Sequence, residues 1–183
     1  MGIYDEISAN KRRSFLVILG FFGLIIALGT LLGAFYGSYW VGVGVAIVVG
    51  LIYFMFSYYE GSNTILSMSG AQEAKKPEYT YLINTVEGLS IAAGLPKPPK
   101  VYVINDTALN AFATGRDPEN SAVVVTTGLL KKMNKLELEG VLAHEISHIK
   151  NYDIRVMMLA AVLVGLIVLL SDFMLRSFLW GGK

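Results

Sequence analysis

Asn134–Lys150 reads NKLELEGVLAHEISHIK and carries the most informative pattern in this 183-residue chain. Asn134 is a favourable N-cap residue, and Glu137 follows at the position that completes a capping box. Apolar residues then recur at helical spacing, and they predict a buried face made of Leu138, Leu142, Ile146 and Ile149. We therefore expect a single helix, buried along one side.

Two histidines and a glutamate on this helix form the motif HExxH. His144 and His148 are one turn apart, so their imidazoles can converge on one metal ion. Glu145 lies on a neighbouring flank, where a carboxylate can take a proton from water activated by the ion. The pattern predicts one zinc ion per chain, with Glu145 as the catalytic base. The alternatives are a chance pair of surface histidines and a structural metal site without catalysis.

A catalytic zinc site needs a third protein ligand, and the sequence does not supply an obvious one. The position six residues after His148 is Ile154, and residues 164–170 contain no glutamate. The only later acids are Asp153, which suits a supporting role beside a ligand, and Asp172, which is a weak candidate. We therefore expect the third ligand beyond Lys183.

The composition is that of a membrane protein. Hydrophobic residues make up 54% of the chain and charged residues only 16%, against about 25% in typical soluble domains. The net charge of +1 gives no strong field for nucleic acid, so none is expected as a partner. The chain has no cysteine, so any metal must be held by histidine or carboxylate. A lipid bilayer is the expected surrounding.

Two membrane spans are predicted at the N-terminus, because Ser14–Tyr59 contains no charged residue and no histidine. We divide it into Ser14–Tyr36 and Tyr39–Tyr59, with glycines at 29, 33 and 37 able to bring the helices close. The first run is too long for a cleaved signal peptide, so a retained anchor is favoured. The basic run Lys11–Arg13 predicts a cytoplasmic N-terminus and a cytoplasmic region after the second span.

A third apolar run, Val156–Ser171, predicts a further membrane helix, with a buried amphipathic helix as the alternative. The expected division is therefore residues 1–59 for the membrane hairpin, 60–155 for a cytoplasmic zinc-binding domain, and 156–183 for the third span. The protein would be a multi-pass protein of the cytoplasmic membrane.

The region between the spans predicts an α+β domain. Glu60–Lys76 is interpreted as a linker with partial helix, and Arg116–Asn120 as a turn. The expected elements are a helix from Pro77 to the C-cap Gly94, strands over Val101–Ile104, Asn110–Thr114 and Ser121–Thr126, and a short helix from Thr127.

Three motifs together resemble the HtpX family of membrane zinc endopeptidases, which is related to the CAAX prenyl proteases. They are Ala143–Lys150 (AHEISHIK), Asn110–Gly115 (NAFATG) and Val125–Leu130 (VTTGLL). The resemblance implies a zincin-like, gluzincin fold and proteolysis of misfolded or damaged membrane proteins in a prokaryotic cytoplasmic membrane. It also implies a glutamate as third ligand, beyond a fourth membrane segment.

The same resemblance implies a substrate-binding edge strand, made of Asn110, Ala111, Phe112, Ala113 and Thr114. An unpaired strand edge can bind a polypeptide by backbone hydrogen bonds. The alternative is an ordinary sheet strand whose Asn110 caps a turn. Asp153 matches an acid that follows the motif in this family, and it is carried over as a supporting residue. A non-enzymatic membrane scaffold and a prenyl-peptide protease remain the competing functions.

Overall fold

The computed structural model describes residues 3–35 and 37–180. Two long helices come first, α1 (Ile3–Phe35) and α2 (Tyr39–Met68), and they form an antiparallel hairpin. In the described part, Asp5–Leu31 and Tyr39–Met68 are long and apolar enough to cross a membrane. Tyr36, the predicted end of the first span, lies outside the described residues.

The turn of this hairpin is formed by Gly37 and Ser38. Gly37 has φ +83°, a left-handed conformation that glycine adopts without strain, and Ser38 caps α2 by accepting a hydrogen bond from the Val41 amide. Gly29 and Gly33 pack against Gly42. The contact is so close that an added Cβ on Gly42 would lie 2.1 Å from the Gly29 carbonyl oxygen. The predicted close approach therefore involves Gly29 and Gly33, whereas Gly37 forms the turn.

The second helix continues well past the apolar run that predicted it. It remains helical to Met68, nine residues beyond Tyr59, so much of the predicted linker belongs to α2. Leu66 in this extension is buried against Ala122 and Val124 of the sheet. The extension therefore connects the apolar hairpin directly to the polar domain.

The domain is built on a four-stranded sheet of order β1-β2-β4-β3. The strands are β1 (Gln72–Glu73), β2 (Lys100–Ile104), β3 (Ala111–Asp117) and β4 (Asn120–Thr126). β2 and β4 are parallel, and the other pairs are antiparallel. The fully buried run Val123–Val125 fits the central position of β4, and β3 forms one edge as predicted.

The β3–β4 hairpin corrects the predicted turn at Arg116–Asn120. β3 continues through Gly115 to Asp117, and only Pro118 and Glu119 form the turn. Gly115 has φ +150°, and a Cβ there would lie 2.4 Å from the Asn120 carbonyl oxygen, so the glycine permits a bulge instead of ending the strand. Asp117 Oδ1 closes the turn by accepting from the amides of Glu119 and Asn120.

Helices cover both faces of the sheet. α3 (Thr80–Ala93) and α5 (Lys135–Lys150) pack on one face over the main core, which includes Val86, Val123 and Leu142. Gly94 ends α3 in the left-handed conformation, as predicted for a C-cap. The short helix α4 (Thr127–Lys132) connects β4 to α5. These elements confirm the mixed α+β class.

The last helix, α6 (Asp153–Trp180), includes the third apolar run. Its first turns bury Ile154, Met158, Leu159 and Leu163. Gly61 of α2 comes close to α6, because a Cβ on Gly61 would be 3.4 Å from Met158. The beginning of α6 is therefore packed against protein, and its Ile154 belongs to the same core as the buried residues of α5.

Candidate metal centre and peptidase site

Helix α5 brings the two histidines together as its sequence predicts. Both hydrogen bonds of the capping box are present, between Asn134 and Glu137. The predicted apolar stripe is buried, so the opposite side of the helix faces away from the core. The stripe consists of Leu138, Leu142, Ile146 and Ile149. The Nε2 atoms of His144 and His148 are 3.2 Å apart, and their rings are nearly perpendicular at 79°.

This spacing fits a shared metal ion. Two nitrogen ligands of a tetrahedral zinc ion, at 2.0–2.1 Å from the metal, are about 3.3 Å apart. Within residues 3–35 and 37–180 no group of three or more His, Cys, Asp or Glu side chains could hold a metal. The described part therefore offers two imidazole nitrogens that could bind a metal, those of His144 and His148.

Asp153 contacts the second histidine, a position that its predicted supporting role requires. Asp153 Oδ2 lies 2.8 Å from His148 Nδ1, which leaves His148 Nε2 facing His144. Its other oxygen, Oδ1, accepts a hydrogen bond from Asn10 of α1. Carboxylates that orient metal-binding histidines in this way raise the basicity of the ligand. The side chain of Asp172, the other later acid, lies outside the described part.

Glu145 is half-buried between α5 and the edge strand β3. Burial raises the pKa of its carboxyl group above the ordinary value of 4.5, because desolvation disfavours the charged form. The neighbouring His148 and His144 and a hydrogen bond from the Ala113 backbone act in the opposite direction on this pKa. A carboxylate with a raised pKa beside two imidazoles is suited to accept and return a proton.

A cleft of about 340 Å³ opens beside this carboxylate. Glu145 and His148 form one wall, and β3 forms another with Phe112, Ala113 and Thr114. Apolar side chains that the sequence did not single out complete the lining: Ile65, Met157, Met158 and Ala161. They come from α2 and α6, so only the packing of three helices on β3 brings them to the site.

The five residues predicted to bind substrate divide into two groups. Phe112, Ala113 and Thr114 line the cleft, and the Thr114 hydroxyl is buried without a hydrogen-bond partner. Asn110 and Ala111 lie outside the lining. The backbone amide of Asn110 donates to Thr126 Oγ1, and the backbone carbonyl of Asn110 accepts from the backbone amide of Thr126 at 3.0 Å.

The structure also reveals Asn10, which sequence analysis did not identify. It is only 4% exposed and is hydrogen-bonded to Asp153 and to the Asn151 carbonyl oxygen. The only sequence signal is a polar residue just before the basic run Lys11–Arg13. No local spacing could connect it to residues more than 140 positions later.

The profile of Peptidase family M48 matches residues 77–179, which include the whole HExxH helix. The chain therefore belongs to peptidase family M48, a family of metallopeptidases.

Similar full sequences are named Protease HtpX homolog. The relative from Dictyoglomus turgidum is 46% identical over 180 residues, and that from Dictyoglomus thermophilum is 49% identical over 183. A Listeria monocytogenes relative is 43% identical over 181 residues. Each match covers 98% of this chain and 59% of the relative, so the chain spans about three fifths of the length of these relatives.

One solved structure is also similar, the crystal structure of S. mikatae Ste24p. It is 18% identical, with a TM-score of 0.48, and the match covers 91% of this chain and 38% of that one.

Proposed function

We propose that this chain forms the zinc-binding and substrate-contacting part of a membrane-anchored endopeptidase. The observation that carries the proposal is the pair of imidazole nitrogens 3.2 Å apart, beside a half-buried carboxylate at a free strand edge. The substrates are proposed to be misfolded or damaged membrane proteins, so the activity is one of protein quality control. This proposal agrees with membership of peptidase family M48.

His144 and His148 would hold the ion, and a glutamate beyond Lys183 is proposed as the third ligand. A zinc ion held there would supply Lewis-acid chemistry, which would make a bound water acidic near neutral pH and would polarise the substrate carbonyl. Glu145 accepts the proton from the attacking water and donates it to the leaving amine. Asp153 keeps the Nε2 atom of His148 directed toward His144 throughout.

The edge strand β3 is proposed to position the substrate. Its partner β4 lies on one side only, so backbone groups on the other side can pair with an extended polypeptide. A hydrogen bond from the Ala113 backbone already reaches Glu145, so a peptide paired with β3 would pass beside the catalytic carboxylate. Backbone pairing is tolerant of sequence, which suits an enzyme that recognises unfolded segments.

The membrane placement rests on the exposed apolar surface of the hairpin. Phe15, Trp40 and Ile52 are 62%, 86% and 66% exposed, and such a surface is stable when lipid covers it. We propose a multi-pass protein of the cytoplasmic membrane, with residues 60–155 in the cytoplasm and α6 as a third span. The basic run before the first span supports this orientation.

The decisive experiment uses the full-length protein, purified in detergent and supplied with casein or an unfolded membrane protein. The wild type should contain about one zinc per chain and cleave the substrate. Glu145→Gln should retain the zinc and lose cleavage by a factor of about 100 or more. Unchanged cleavage by this variant would reject the proposal.

Elemental analysis and substrate choice separate the competing functions. A full-length protein without metal and without cleavage would point to a membrane scaffold. Cleavage confined to prenylated C-terminal peptides would point to a prenyl-peptide protease. A variant with both His144→Ala and His148→Ala serves as the metal-free control.

A further inference from the structure

A second cavity, which shares Met158 with the lining of the peptidase cleft, lies between the cytoplasmic end of α2 and the sheet. Its volume is about 290 Å³, near the lower end of the range of roughly 300–1,000 Å³ for ligand pockets. Tyr58 and Tyr59 line it from α2, at the point where the uncharged run of that helix ends. Tyrosines at such a position are typical of the membrane–water interface.

The lining of this cavity is also basic. Lys97, Lys100 and Arg116 line it, and Glu119 is the one acidic residue among the lining residues in the described part. The Arg116 guanidinium lies over the Tyr59 ring, 4.9 Å from its centroid, and is 3.5 Å from Asp117. Three cations therefore face a cavity at the interface, and the peptidase chemistry proposed above does not use them.

We propose that this cavity binds the phosphate headgroup of an anionic phospholipid. Basic pockets beside membrane helices on the cytoplasmic side recognise such headgroups, and arginine matches phosphate geometry with two parallel hydrogen bonds. The acyl chains would follow the exposed apolar face of α2, where Met55 and Phe56 are more than half exposed. The inference rests on the membrane placement proposed above, but not on zinc or on catalysis.

The test measures lipid retention by the full-length protein in detergent, using native mass spectrometry. Phosphatidylglycerol should be retained in preference to phosphatidylcholine by the wild type. A variant that combines Lys97→Gln, Lys100→Gln and Arg116→Gln should abolish the preference. Its affinity for phosphatidylglycerol should fall about fivefold for each cation removed. The matched control removes three exposed lysines away from the cavity: Lys75→Gln, Lys131→Gln and Lys132→Gln.

Three outcomes would overturn this assignment. They are equal retention of both lipids by the wild type, an unchanged preference in the cavity variant, and an equal loss in the control variant. Displacement of the lipid by excess inorganic phosphate would show a site for free phosphate instead. Membrane extraction with carbonate tests the membrane placement separately, so its failure is distinguishable from failure of the lipid site.

A second inference concerns the hydrogen-bond chain that joins α1 to the proposed metal ligands. Arg13 Nη1 donates to Asn10 Oδ1 at 3.1 Å, and Asn10 Nδ2 donates to Asp153 Oδ1 and to the Asn151 carbonyl oxygen. Asp153 then accepts from His148, whose Nε2 faces His144. Each polar atom of the buried Asn10 amide group is thus used.

We infer that Asn10 is a positioning residue, through which the first membrane helix sets the orientation of His148. This inference deepens the proposed metal site and depends on it. The side-chain amide of Asn10 suits this position, because its nitrogen donates to the Asp153 carboxylate while its oxygen accepts from Arg13. Aspartate has the same shape, but it would lose the donor and place a second negative charge beside Asp153.

The test compares zinc affinity, measured by chelator competition, in the full-length wild type and in Asn10→Asp, Asp153→Asn and the double variant. Each single change should weaken binding about 10- to 100-fold, as for other supporting residues of metal sites. If Asn10 acts through Asp153, the double variant should be no weaker than the worse single variant. Asn84→Asp, at an exposed position on α3, is the matched control.

Additive losses would assign Asn10 a purely structural role, and an unchanged affinity in Asn10→Asp would reject the inference. Circular dichroism of each variant identifies any that has failed to fold, and Asn10→Ser then replaces Asn10→Asp in the cycle. A wild-type protein that binds no zinc would reject the proposed metal site itself.

Discussion

Asp153 Oδ2 lies 2.8 Å from Nδ1 of His148, although the two residues belong to different helices. Tyr152, with φ +63°, lies in the short break between α5 and α6. The contact determines which ring nitrogen of His148 is available to a metal. One carboxylate therefore links the geometry of the proposed zinc site to the start of α6.

Removing the charge of this carboxylate should weaken metal binding without unfolding the domain. Asp153→Asn is expected to reduce zinc affinity by about 10- to 100-fold, because the imidazole loses its orienting acceptor. Competition with a chelator measures the effect. Asp106→Asn, on the loop after β2, is the control and should bind zinc as the wild type does. Equal affinities for Asp153→Asn and wild type would contradict the assigned role.

The raised pKa of Glu145 predicts a pH-dependent gain in stability when its charge is removed. The folded state binds the proton of this carboxyl group more tightly than the unfolded state does. Its ionisation therefore costs stability as pH rises through the folded pKa. In metal-free protein, Glu145→Gln should be more stable than wild type at pH 7, and the difference should shrink in acid below the ordinary pKa of 4.5.

Thermal unfolding at several pH values, in the presence of a chelator, measures this difference. Glu87→Gln, at an exposed position on α3, is the matched control and should show no comparable trend. A Glu145→Gln variant that loses stability at neutral pH would show that the carboxylate is stabilised in the folded state, contrary to the prediction.

Two buried threonines should respond oppositely to the same substitution. The Thr114 hydroxyl has no partner, so Thr114→Val should leave the free energy of unfolding unchanged or raise it by up to about 1 kcal/mol. The Thr126 hydroxyl caps α4 by accepting from the Leu129 amide, and it donates to the Ala108 carbonyl oxygen. Thr126→Val should therefore cost about 1–2 kcal/mol.

Denaturant unfolding of both variants measures the contrast, and each serves as the control for the other. A large loss for Thr114→Val would mean that its hydroxyl has a partner in solution. If Thr114→Val keeps its stability but cleaves substrate more slowly, the free hydroxyl would be assigned to substrate contact.

The membrane hairpin should be sensitive at Gly42 and tolerant at Gly44. A Cβ on Gly42 would lie 2.1 Å from the Gly29 carbonyl oxygen, whereas a Cβ on Gly44 has nothing within 4 Å. Gly42→Ala is therefore expected to cost about 1–3 kcal/mol through overpacking. Gly44→Ala should change stability by less than about 0.5 kcal/mol. Thermal unfolding in detergent compares them, and equal losses would contradict the packing of the hairpin.

Several predictions from sequence were confirmed because they depend on local spacing. The capping box, the buried stripe of α5 and the convergence of His144 and His148 all follow from the geometry of one helix. β2 and β4 were predicted by their β-branched residues, and the pair of long apolar helices by its uncharged length. The predicted ends of elements were less accurate than their positions. α2 runs to Met68, beyond the apolar run that predicted it, and β3 continues past Gly115.

Other features were decided by tertiary structure alone. β1 is too short and polar to carry a strand pattern, and it exists because Gln72 and Glu73 pair with β2. Asn10 reaches Asp153, and the Ala113 backbone reaches Glu145, because whole elements pack against one another. Periodicity along a single element determines which residues share a face. Contacts between residues 30 or more positions apart depend on the packing of helices on a sheet, and a single sequence holds no local signal for them.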